Sequence, residues 1–196
     1  MQTNDLLQTI DSNSLVLHIG FEAGQKQPFY ALMGGLRTAA TPEKKAGFVI
    51  GQGATMTGAA KALAAKLRGQ TLQRPTGTEK VSFPQDLDAE SLIQKLEPHD
   101  TNTQAAVNFM VVAAGQMGTN FQLTRKPKGR DKGWHMTFDA VALGNSGITT
   151  AFDAKPVPAI LKVASQLNGK VLRQGTREFQ APLVPGLGTA SWAPEV

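Results

Sequence analysis

Five cations crowd one short stretch. Arg125, Lys126, Lys128, Arg130 and Lys132 stand within RKPKGRDK, where Asp131 is the single acid. That is a net +4 over residues 125–132, in a chain whose total is only +5. Ammonium and guanidinium groups at this density suit a polyanion, because each one that meets a phosphate releases a condensed counterion. Gly129 and Gly133 let the segment follow a phosphate backbone, and His135 lies just beyond it. The sequence thus predicts nucleic-acid contacts from Arg125, Lys126, Lys128, Arg130, Lys132 and His135. A solvated loop would have the same composition, so the segment alone states no biochemical function.

Other constellations are weaker. Two strand-borne His-x-Thr/Ser motifs, their histidines acting as general acid and base on a phosphodiester, mark the 2H phosphoesterases. His135-x-Thr137 resembles one such copy. His18, however, is followed by Gly20 where the hydroxyl belongs, and the separation of the two is long for that family. Gly51-Gln52-Gly53 runs into a helical pattern, which invites a phosphate-binding reading. The spacing disagrees. A dinucleotide fingerprint needs glycine at Met56, and a P-loop ending at Gly58 needs Lys and a hydroxyl residue at Ala59 and Ala60. Small residues that let a helix pack closely on a sheet explain the glycines better. Asp86, Asp88 and Glu90 could be imagined as metal ligands but match the acid-rich first turn of a helix. No cysteine is present, which excludes disulfides and thiol chemistry. Neither a metal nor a cofactor is expected, and an enzyme is the less favoured class.

The elements that must position the cations follow from periodicity. Phe121 and Leu123 alternate with Gln122 and Thr124; Trp134, Met136 and Phe138 alternate with His135, Thr137 and Asp139. A period of two predicts a β-hairpin over 119–143, apolar on one face and polar on the other, with the basic segment as its tip. Before it, a short helix is predicted at 5–10, strands at 14–21, 29–33 and 47–50, and a loop at 37–45. A helix is predicted at 57–68, with Ala59, Leu63 and Leu67 on one face and Gly69 ending it. Val81 and Phe83 make a short strand, 86–96 a helix, and 98–103 a break. Residues 107–114, VNFMVVAA, are a buried strand or a short core helix, and their valines and phenylalanine favour the strand. A turn at 144–147, a strand at 148–152, a helix at 158–167 and a strand from 170 suggest a small split β-α-β unit.

The expected fold is therefore α+β. It is a single domain over residues 1–179, with a mainly antiparallel sheet and about four short helices, followed by an extended tail over 180–196. The tail is proline-punctuated and almost uncharged, and its Leu183, Val184, Leu187 and Trp192 should dock on its own domain or on a neighbour. No apolar run approaches the ~20 residues that span a bilayer, and the polar N-terminus is unlike a secretory signal. A cytoplasmic protein, or one within a virion, is expected. The leading expectation is a non-enzymatic nucleic-acid-binding protein of the kind a phage or mobile element encodes. An assembly subunit, such as a virion component using hairpin and tail to form homo-oligomers, is the alternative, and a divergent 2H phosphoesterase the third.

Overall fold

The computed structural model of the chain describes residues 4–40, 46–75, 78–98, 100–143 and 147–188. Among the described residues it is α+β, with five helices and a mainly antiparallel six-stranded sheet. In chain order, α1 (Leu6–Ser12) leads into β1 (Val16–Glu22), β2 (Phe29–Gly34), β3 (Ile50–Gly53) and α2 (Met56–Leu67). A small ribbon of β4 (Thr71–Gln73) and β5 (Lys80–Ser82) precedes α3 (Glu90–Leu96) and α4 (Thr101–Met117). The second half holds β6 (Asn120–Lys126), β7 (Gly133–Phe138), β8 (Val141–Ala142), β9 (Thr149–Asp153), α5 (Pro156–Leu167), β10 (Val171–Gln174) and β11 (Arg177–Gln180). The main sheet has the order β3-β2-β1-β6-β7-β9.

The alternation in the sequence sets the two faces of this sheet. Leu17, Ile19, Ala31, Met33, Phe121, Leu123, Trp134, Met136 and Phe138 are buried on the face that α2, α4 and α5 cover. Three phenylalanines clasp the ends of its central strands away from the basic tip: Phe21 stacks on Phe121 at 5.1 Å and meets Phe29 edge-on at 5.3 Å. The opposite face carries no helix among the described residues, and apart from the buried Thr124 its side chains are half-buried or exposed. The strand-helix passage through Gly51 and Gly53 is the close packing that the small residues implied. A Cβ on Gly51 would lie 2.2 Å from the Leu63 nitrogen of α2, and one on Gly53 2.6 Å from that of Ala59.

The chain is built from one unit used twice, a feature the sequence reading did not detect. Shifting β1 by 104 positions gives the bounds of β6, and α2 and α5 stand 100 positions apart. The β1–β6 register is symmetric about Ile19↔Leu123, with Leu17↔Arg125 on one side and Phe21↔Phe121 on the other. Small interactions recur as well. Lys66 donates to the Ile50 carbonyl and Gln166 to that of Thr150. Gly69 N–H donates to Pro84 O and Gly169 N–H to Pro182 O. Both glycines adopt a left-handed conformation, with φ of +66° and +68°. Ala59, Ala64, Leu67, Gly69 and Leu72 are each identical to the residue 100 positions later.

Several boundaries differ from expectation. Residues 107–114 are the middle of α4, not a strand. The helix buries Thr103, Ala106, Met110, Ala113 and Met117, a helical period that runs beyond the short apolar segment on both sides. Asp100 caps it by accepting from Thr103 N–H at 2.7 Å, so the supposed break at 98–103 is the helix start. Residues 86–89 lie outside α3, and the strand expected at 47–50 is β3, displaced toward the glycines. No split β-α-β unit forms: β9 is in the main sheet, while β10 pairs with β8 and β11 in a separate one. The described part of the tail docks on its own domain, except that Leu183, expected to dock, is exposed. Asn168 donates from Nδ2 to the carbonyls of Val184 and Gly188 and accepts from Val184 N–H, and Leu187 is buried. Trp192, His99 and the turn at 144–146 lie outside the described residues.

Candidate nucleic-acid interface

The basic hairpin forms as the alternation predicts, with β6 and β7 paired from Phe121↔Phe138 to Lys126↔Gly133. Lys128, Arg130 and Lys132 are exposed on the loop between them, and Lys126 is half-exposed at the end of β6. Lys126 shares the parity of Thr124 and Gln122, so it stands on the uncovered face of the sheet. His135 joins them there. Its Nε2–H donates to the Asp131 carbonyl at 2.8 Å, which folds the tip back toward the same face.

Arg125 is separated from this group. It belongs to the covered face, where its side chain is only 11% exposed and pairs with Asp11 at 3.0 Å. Both guanidinium Nε and Nη2 donate to that carboxylate, and the guanidinium carbon lies 5.7 Å from the Trp134 ring centroid. The cation fastens α1 to the sheet, so four of the five clustered cations remain turned outward.

Across the uncovered face, cross-strand register places one row of residues side by side: Ile50, Leu32, His18, Thr124, His135 and Phe152. The row beside it contains Gln52, Tyr30, Gly20, Gln122, Thr137 and Thr150. Rings lie on the glycines of this face. A Cβ on Gly20 would be 2.4 Å from the Tyr30 ring, one on Gly133 2.4 Å from Phe152, and one on Gly34 2.7 Å from His18 Nε2. Phe152 is 43% exposed, and its centroid is 4.9 Å from that of His135. Tyr30 and Phe152 escaped the sequence reading, which saw only polar side chains on this face. Their placement depends on which strands become neighbours, and strand periodicity does not carry that.

A small polar network holds the centre. The Tyr30 hydroxyl donates to Gln122 Oε1 at 3.1 Å, and Gln122 Nε2 donates to His18 Nδ1 and to Thr124 Oγ1, each at 2.9 Å. An amide N–H donated to Nδ1 makes that nitrogen an acceptor, so the His18 imidazole is neutral with its proton on Nε2. Burial holds its pKa below the ordinary value. Burial, with the charge of Glu22 as the smaller cause, raises the Tyr30 phenol.

For general acid–base work on a phosphodiester the arrangement is poor. His18 and His135 share a row but stand two strands apart, about 10 Å, with Thr124 between them. His18 Nδ1 is already occupied, and Gly20, where a second hydroxyl would be needed, lies beneath Tyr30. Among the described residues no three His, Asp or Glu side chains group as metal ligands, Asp86, Asp88 and Glu90 included. No helix among them is long and apolar enough to cross a membrane. What the face offers is a cation-tipped sheet, ringed with flat side chains and hydrogen-bonding groups. Comparison of the chain with protein-family models, curated proteins and solved structures gives no match, so the reading of this face rests on its own residues.

Proposed function

We propose that this chain is a non-enzymatic nucleic-acid-binding protein whose hairpin tip holds the phosphate backbone through Lys126, Lys128, Arg130 and Lys132. One observation carries the reading: the four outward cations stand at the edge of a sheet face that no helix among the described residues covers. A polyanion held at the tip would therefore find open surface beside it. Phosphate contacts give affinity and salt dependence without sequence choice.

The test is fluorescence anisotropy with labelled oligonucleotides at about 50 and 200 mM salt. Replacing Lys126, Lys128, Arg130 and Lys132 by Ser, with Arg125 retained for its contact with Asp11, should leave the thermal transition in place. Binding should weaken strongly, and the slope of log K against log salt should become shallower by about three. No binding by the unmodified protein at low salt would reject the proposal.

A second reading, an assembly subunit, is supported by the sheet edges. Among the described residues β3 and β9 both end the sheet unpaired, with Phe48, Ile50 and Ile148 exposed at or beside them. Exposed apolar edges suit strand-to-strand association. Light scattering decides, since this reading requires a large assembly that persists without nucleic acid.

A further inference from the structure

We infer that the uncovered sheet face takes a single-stranded nucleic acid, with a base stacked on Phe152 beside His135 while its phosphates lie on the tip. This rests on the nucleic-acid reading above and adds to it the strandedness of the ligand and the surface that selects it.

Charge and rings coincide at one end of the face. Lys126 stands opposite Gly133, the glycine that Phe152 covers, and Lys132 is the next residue before it. A phosphate on Lys126 or Lys132 thus lies one nucleotide's reach from the exposed face of the Phe152 ring. From Phe152 a diagonal crosses the sheet past His135 to the Tyr30 ring over Gly20, with the His18 ring turned aside toward Gly34. Strand spacing and rise make the track from Gly133 to Gly20 about 16 Å long, enough for a few stacked bases. Thr137 lies along it with a hydroxyl for base edges, while Gln122 and Thr124 are held in the network with Tyr30 and His18.

The opposite end is unsuited to phosphate. The equivalent hairpin turn of the first repeat, residues 23–28, has Lys26 as its single cation, and the exposed acids Glu22 and Asp139 flank that end. The doubled fold therefore offers two geometrically related ends, of which sequence has made only one cationic. Bases paired within a duplex present no ring faces to such a surface. Unpaired bases do, and base–aromatic stacking tolerates any sequence.

The experiment compares a labelled mixed-sequence single strand of about 20 nucleotides, longer than one stacking site, with the corresponding duplex, using the full chain at one salt concentration. The single strand should bind at least about tenfold tighter. Phe152→Ala should reduce single-strand affinity by about tenfold and leave the salt slope unchanged, since no phosphate contact is lost. Phe152→Trp, which keeps a ring over Gly133, should bind at least as tightly as the parent and guards against a folding defect in the alanine variant. Equal or tighter duplex binding, or a Phe152→Ala variant with unaltered single-strand affinity, would overturn this inference while leaving the tip contacts standing. Failure of the unmodified protein to bind either probe would overturn both.

Discussion

Two residues of the same apparent kind, Arg125 and Lys126, turn out to do different work because a strand alternates. Arg125 points to the covered face and pairs with Asp11, while Lys126 points to the open one. The sequence shows the charge cluster clearly, yet the parity that divides it becomes decisive only once α1 supplies the carboxylate. His18 is a similar case. On sequence it is a candidate acid or base; in place it is a neutral acceptor for Gln122. Its pKa is lowered by burial, so the unfolded chain binds the proton more readily than the folded one. Stability from this group is then complete above its ordinary value of 6.5 and is lost as pH falls below it. Between about pH 7.5 and 5.5 the thermal midpoint of the parent should fall, and that of His18→Gln, which keeps an acceptor but does not titrate, should fall less. Parallel curves for the two proteins would show that His18 binds its proton alike in the folded and unfolded chain.

At the scale of elements, what was legible was what repeats over short distances. The hairpin, its inward face and the α2 pattern follow from periods of two and of 3.6. Residues 107–114 leave strand and helix both open because Val107, Val111 and Val112 dominate the stretch, and a window that short cannot separate the two. The full helical stripe includes Thr103 and Met117, beyond that window. Gly51 shows how an element can instead be fixed by its neighbour. Its absent side chain lets α2 lie against β3, whereas the equivalent position in the second repeat is Ala151, which carries a methyl. Gly51→Ala should therefore destabilise the fold by about 1–3 kcal/mol through overpacking. Ala151→Gly should cost only about 0.5–1 kcal/mol, the entropic penalty of glycine in a strand. Urea unfolding measures both, and equal losses would mean that α2 yields freely to the added carbon.

The whole molecule is organised by its duplication, which periodicity over a few residues cannot reveal and which sequence identity preserves mainly from α2 to β4. The two units meet where β1 pairs with β6, around Ile19 and Leu123, in a junction sealed by the stacked Phe21 and Phe121. Either unit alone would expose that strand edge and the apolar side chains Leu17, Ile19 and Phe21, or Phe121 and Leu123, along it. An unpaired edge of this kind associates with another strand. Cutting the chain in the connection after α3 should therefore give fragments, 1–98 and 99–196, that co-purify as a one-to-one complex with the mass of the intact chain. The first fragment expressed alone should pair with itself through β1, because the junction register is already symmetric about Ile19. Its mass by light scattering is the deciding quantity. A dimer that dissociates on adding the second fragment would show that the chain is a fused pair of like units. A stable, folded monomer would mean that each unit closes its own core, and that the six-stranded face, with the track from Phe152 to Tyr30, is a convenience of linkage rather than a requirement of folding.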